Sequence, residues 1–405
     1  MDVVAWDWLT FAMRWFHVIA GIAWIGSSFY FIALDLGLRR PDGAPTGVSG
    51  EAWQVHGGGF YHIQKYMVAP DKLPKELTWF KWEAYATWIS GFFLLILVYY
   101  AGAELYLIDR TIMDLPVWAA VAIGLASLGL GWLAYDLLCR TPLGNNDAAL
   151  GAALLIFLVA AGWLLSHLFS GRGAMLHLGA LIGTMMVGNV FFVIIPNQKR
   201  VVADLIAGKD PDPELGRQAK QRSLHNNYLT LPVLFLMLVI HLPLAFATQW
   251  NWAIAGLVIV MGAVIRHFFN EMHAGRGMPL WTWAAAAVLF VGAMWLSALP
   301  PGAQGAHQAA AAGPRTAALA ASPHFAEAES IVIGRCAMCH AETPAWNGLR
   351  RPPGNVVLEG PEDVLRHARA IEMQTVRSHA MPPGNVSHMS EDERRLLAAW
   401  LADAR

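Results

Sequence analysis

AALGAALLIFLVAAGWLLSHLF, residues 148–169, carries no charged side chain. An α-helix needs about 20 apolar residues to cross a bilayer core of ~30 Å, and this run supplies them. It has no polar stripe, so it does not read as the surface helix of a soluble domain. Seven more runs of this kind lie at about 8–36, 83–102, 116–138, 174–196, 228–247, 250–270 and 280–299. Composition agrees: 56% of residues are hydrophobic and 14% charged, against roughly 25% charged in soluble domains. The expected fold class is all-α, with an eight-helix transmembrane bundle in a lipid bilayer over residues 1–299.

Charge placement orients this bundle. With the N-terminus outside, the inner loops hold Arg39, Arg40, Lys65, Lys72, Lys75, Lys81, Arg140, Lys199, Arg200, Lys209, Arg217, Lys220, Arg222, Arg266 and Arg276. The outer loops hold only Arg110 and Arg172, as the positive-inside rule requires. The first run is followed at once by Arg39 and Arg40 and reads as a retained anchor. A net charge of −1 gives no basic excess that would suggest nucleic acid. Three cysteines make no disulfide framework, and Cys139, apart from the other two, reads as a buried apolar residue.

Beyond the eighth run, Pro300 to Ser322 is rich in alanine, glycine and proline and reads as a flexible linker. Residues 323–405 then carry the strongest chemistry. Cys336-Ala337-Met338-Cys339-His340 is a C-x-x-C-H motif, whose two cysteines add to the vinyl groups of a haem while the histidine becomes an axial iron ligand. Met381 follows in Ala380-Met381-Pro382-Pro383-Gly384, where the prolines are expected to hold the loop extended so that the thioether reaches the distal face. Met373 and Met389 are rivals without that context. Ser390 to Glu393 is a capping box opening a last helix with Leu396, Leu397, Trp400 and Leu401 on its apolar face. This segment resembles class I cytochrome c, which implies one covalent haem c with His340 and Met381 as ligands. Haem c is attached on the outer side of the bacterial inner membrane. The motif falls on that side after eight spans, so the N-terminus and the C-terminal domain are both expected in the periplasm.

Ionisable residues inside spans are functional candidates because burying them in lipid is costly. His17, His167, His177 and His241 fall toward the outer side, with Arg14 one turn from His17. A b-type haem held by His17, His177 and His241, its propionates near Arg14, is one reading; histidines bonded to neighbouring helices are the other. The inner side gathers Asn189, Gln198, Arg200, His225, Asn226, Asn227, Arg266, Glu271 and His273. Gly57-Gly58-Gly59 would let backbone approach a ligand there. Amides, arginines and histidines around one vestibule suit a flat anion; helix caps and interface anchors are the competing account.

RWFHVIAGIAWIGSSFY at 14–30, Gly57 to Tyr61, Pro196-Asn197-Gln198 and His225 to Tyr228, followed by the haem motif, resemble the membrane-bound, cytochrome c-linked urate oxidases of bacteria over essentially the whole chain. The resemblance implies oxidation of urate to 5-hydroxyisourate without hydrogen peroxide. Electrons would leave through haem c to the respiratory chain, to a terminal oxidase or a soluble cytochrome c. The residues alone support an integral membrane oxidoreductase that delivers electrons outward. On chemistry, urate is expected from the cytoplasmic side. Arg266 or Arg200, with Asn226, Asn227 or Gln198, would hold it, and His225 or Glu271 would take its proton. A site near Arg14 and His17 competes, because a membrane of ~30 Å is a long gap for electrons. Two other classes stay open: a tethered electron-transfer cytochrome, for which one span would suffice, and a dehydrogenase of quinol or another small molecule.

Overall fold

The structure, a computed structural model, describes residues 2–40, 43, 47–67, 74, 76–109, 112–299, 315–346, 349, 352–353 and 356–403. Lys72, Lys75, Arg110 and linker residues 300–314 lie outside them.

Among the described residues, eight helical stretches, each built on one of the following helices, are long and apolar enough to cross a membrane, which is compatible with a multi-pass membrane protein. They are α1 (Asp2–Gly37), α2 (Trp82–Leu94), α4 (Val117–Arg140), α5 (Asp147–Ser166), α6 (Gly171–Gly188), α8 (Pro213–Leu238), α10 (Asn251–His273) and α11 (Trp281–Ala298). Short helices sit between them: α3 (Ala103–Tyr106), α7 (Ile195–Ile206) and α9 (Pro243–Phe246). Two of the long helices end in widened π turns, Leu95–Tyr100 after α2 and Asn189–Ile194 after α6. Such turns turn side chains out of the normal helical register; here they bring Tyr99, Tyr100 and Asn189 into the buried interior. The core lies among α4, α5, α6, α8 and α10, where Leu150, Leu158, Leu178, Ile182 and Leu236 are fully enclosed.

Three expectations change. The loop after α1 is an antiparallel hairpin, β1 (Val48–His56) and β2 (Gly59–Tyr66), so the chain is not purely α. Gly57 and Gly58, at φ 58° and 79°, form its two-residue turn, the positive-φ geometry that glycine favours. They are spent on the turn rather than on a ligand. Next, α8 starts at Pro213, well before residue 228, because Asp212 caps the Glu214 N–H at 2.9 Å and the polar half of the helix is continuous with the apolar half. Finally, the C-terminal unit begins before residue 323: α12 (Arg315–Ala320) packs Leu319 into that unit's core, and its carbonyl accepts a bond from Trp400 Nε1 at 3.1 Å.

That unit is built on two helices, α13 (Phe325–His340) and α16 (Glu391–Ala402), with α14 (Pro361–Arg366) and α15 (Ala368–Ile371) between them. Val332, Leu397, Trp400 and Leu401 form its centre. The expected capping box is present: Ser390 Oγ accepts from the Glu393 N–H, and the Glu393 carboxylate accepts from the Ser390 N–H. The same carboxylate receives Arg335 of α13 at 2.8 Å, tying the two helices together.

Burial alone would raise the Glu393 carboxyl, but Arg335 and Ser390 outweigh it and hold it below its ordinary range. The pair therefore stabilises the folded state in full above the ordinary Glu value, near ~4.3, and loses this as pH falls through the lowered folded value. Hydrogen-exchange protection of α13 and α16 should fall on acidification in the natural chain. In Glu393→Gln it should start lower and vary less across that window.

Candidate functional site

In the C-terminal unit, Cys336, Cys339 and His340 close the last turn of α13 at i, i+3 and i+4, so they share one helix face. Neither cysteine is in a disulfide. His340 Nδ1 donates to the Val356 carbonyl at 2.9 Å, which fixes the ring and leaves the Nε2 lone pair free, the arrangement of a metal-ligating histidine. The Met381 carbonyl accepts from Arg394 Nη1 at 3.1 Å, and its N–H donates to Gln374 at 2.8 Å. Met389 is buried in the core, its backbone held by both ends of the Asn385 amide. Met373 is half-buried. The loop is not extended as expected: Pro383–Asn385 forms a tight turn. Among the described residues no three of His, Cys, Asp and Glu converge as a metal centre. One imidazole and one thioether are too few donors to hold a bare metal ion, which fits a group that brings its own macrocycle.

The Met381 loop is wedged against the helical bundle. Gly384, at φ 56°, lies so close that a Cβ would collide with the Ile108 carbonyl oxygen and press on that of Glu104. Ala380 is part of the bundle's own buried core. The platform beneath is rigid. Ser170 donates from Oγ to the Tyr106 carbonyl and from its N–H to that of Leu107, both at 2.8 Å, and caps α6 through Gly173. Beside the contact is a cavity of about 470 Å3, walled by Leu105, Asp109 and Ile112, by the 166–172 and 246–251 segments and by the Met381 loop. Those three connections share one end of the bundle, here the docked end; the β-hairpin end is opposite.

The histidines expected to clamp a second haem are not joined by any hydrogen bond or ring contact among the described residues. His17 Nδ1 lies 3.0 Å from both the Thr87 carbonyl and Ser90 Oγ, and its ring packs on Gly91. His177 is fully buried, donating from Nδ1 to Gly173 at 2.8 Å with Tyr100 Oη 3.3 Å from Nε2. His241 and Arg14 are exposed. Of His17, His177 and His241, His17 alone pairs an anchored Nδ1 with an Nε2 that has no hydrogen-bond partner among the described residues.

Toward the hairpin end, the expected vestibule is two clusters on opposite sides of α8. In the first, Asp136 of α4 pairs with Arg222 at 2.7 Å and with Arg140 at 2.7 Å. Asn189 Nδ2 donates to Tyr135 Oη at 2.8 Å and to Asn226 at 2.9 Å. Tyr135, accepting there, donates its O–H to His225 Nδ1 at 2.8 Å. Cys139 Sγ is 3.9 Å from the same nitrogen, so it is not isolated. In the second, Arg266 Nε donates to Asn227 at 2.8 Å, its Nη2 lies 3.4 Å from Asn270 Oδ1, and its face is 3.9 Å from the Phe29 ring. Among the described residues, Asn270 Nδ2 and His273 Nδ1 have no hydrogen-bond partner.

Arg222 and Arg266, expected as loop charges, are thus buried within helices. Gln198 and Arg200 lie exposed on α7, in neither cluster. Glu271 is held by Arg276 at 2.6 Å. Sequence reasoning missed Asp136, Tyr135, Phe29 and Asn270, although Arg266, Asn270 and His273 at i, i+4 and i+7 could have been read as one face.

Breaking a buried pair strands the remaining charge and costs about 3–5 kcal/mol. Asp136→Ala should lower stability of the detergent-solubilised chain by that order, whereas Asp136→Leu with Arg222→Met should cost markedly less, as read from the two unfolding midpoints.

Neither the curated proteins nor the solved structures give a match. The family described as urate oxidase N-terminal matches residues 3–297, a span that takes in all eight apolar helices and the platform under the Met381 loop. With more than half of its length inside that match, the chain belongs to the urate oxidase N-terminal family.

Proposed function

We propose that the protein is a membrane oxidoreductase that oxidises urate to 5-hydroxyisourate and passes the electrons, through a haem c in its C-terminal domain, to a respiratory acceptor. The observation that carries this reading is the docked loop. Family membership supports an oxidoreductase acting on urate, and the segment bearing Met381 is packed into the core of the family domain. A tethered carrier would not need its ligand loop locked to an eight-helix bundle.

Haem bound there would supply a one-electron acceptor, filled twice per urate. Cys336 and Cys339 would hold it covalently, and His340 and Met381 would bind its iron. The protein's part is to keep these donors oriented. Val356 fixes the His340 ring, and Arg394 fixes the Met381 backbone. Gly384 sets the loop's distance from the bundle. No step is assigned to a second haem: His177 is engaged on both ring nitrogens by Gly173 and Tyr100, and His241 is exposed. The charge asymmetry of the loops favours a periplasmic docked end in a bacterial inner membrane.

Membranes carrying the protein should consume oxygen with urate and release no hydrogen peroxide, and Cys336→Ala with Cys339→Ala should abolish this. Peroxide in proportion to urate consumed would sink the reading. Gly384→Val adds a side chain where none fits, at a φ that costs a β-branched residue on the order of 1–3 kcal/mol. Urate-dependent haem reduction should slow at least tenfold, with the haem spectrum unchanged.

A further inference from the structure

The 470 Å3 cavity at the seam is of small-molecule size. Its lining carries Asp109, His167, Arg172, His379, Glu391 and Arg394, and Glu391 lies 3.9 Å from Arg394. Arg394 is buried and donates to the Thr375 and Met381 carbonyls. Arg172 differs. Its guanidinium lies between the rings of Tyr106 (5.7 Å) and Phe246 (5.0 Å), and no carboxylate pairs with it among the described residues. A guanidinium stacked on rings keeps its N–H edge for a planar anion. Gln249 on the same wall offers an amide donor and acceptor. His167 donates from Nδ1 to the Trp163 carbonyl at 2.7 Å, so its Nε2 is the accepting nitrogen of the neutral ring.

We infer that this cavity is the substrate site. It takes a planar, anionic, hydrogen-bonding heterocycle of the urate class, with its acidic edge on Arg172 and its amide edge on Gln249. The inference rests on the urate reading above. The chemistry balances there: urate monoanion and water give neutral 5-hydroxyisourate, two electrons and one proton. A C–O bond forms at C5, His167 Nε2 accepts the proton, and the two electrons would be taken one at a time by the haem that Cys336, Cys339, His340 and Met381 would hold.

Two comparisons favour the seam over the hairpin end. Arg266 is closed in by Phe29 and by the Asn227 and Asn270 amides, so it ties α1, α8 and α10. It is also 266 − 251 = 15 residues along α10 from Asn251, which lines the cavity. At ~1.5 Å per residue that is about 22 Å. Electrons leaving the cavity start beside the Met381 loop; those leaving Arg266 must first cross that length.

The test is equilibrium binding of radiolabelled urate to the full-length protein in detergent, anaerobic and chemically reduced so that no turnover occurs. Arg172→Ala should weaken urate binding at least tenfold, Arg172→Lys should recover only part of it, and Ala247→Trp, which fills the cavity from its rim, should abolish it. Melting temperature and haem spectrum should not move, and Arg266→Lys should bind as the natural protein does. Natural affinity in both Arg172→Ala and Ala247→Trp removes the seam site while leaving urate as substrate. So does loss of binding in Arg266→Lys alone. A natural chain that neither binds urate nor is reduced by it removes both readings.

Discussion

The close approach of Gly384 to the Ile108 carbonyl is the constraint on which the rest of the arrangement depends. Any side chain at residue 384 would separate the Met381 loop from the bundle. Ala380 could then no longer complete the core beneath it, and the seam cavity would open to solvent. The contact also settles sidedness within the molecule. An even number of long helices returns the chain to the end it started from, and the C-terminal unit docks there on α3 and Ile108. Arg394 grips the loop from the other side, so Met381 is held between two domains.

The buried polar groups divide by what satisfies them. Around α8 they are satisfied by one another: Asp136 neutralises Arg222, and Asn189 joins Tyr135 to Asn226. Such networks fix which helix faces which, since a polar group left unpaired in an apolar interior is costly. At the seam the polar groups face an open volume instead. A charge that packs on rings and meets no carboxylate is poised for a ligand, whereas a charge inside a closed network is not.

Much of the fold was legible in the sequence. The eight apolar runs, the capping box at Ser390 and the helix leading into Cys336 follow from length, hydropathy and local chemistry. What was missed has physical reasons. The hairpin's alternating strands and Gly57-Gly58 turn sit in a stretch too polar to stand out beside spans. Window averages hide Arg222 and Arg266 because one buried charge hardly changes a helix's mean. The seam residues were least legible. Arg172, Phe246 and Gln249 come from connections far apart in sequence, and His379 and Arg394 from another domain; only the docked loop brings them to one place. Arg172 looked like a stray charge because its partners are rings.

The most direct measurement is the visible spectrum of the purified, intact protein mixed with urate without oxygen. The account predicts a C-terminal haem c that becomes reduced, about two haems per urate consumed, from the electron count of the oxidation. A haem that stays oxidised while the helical bundle remains folded would contradict it.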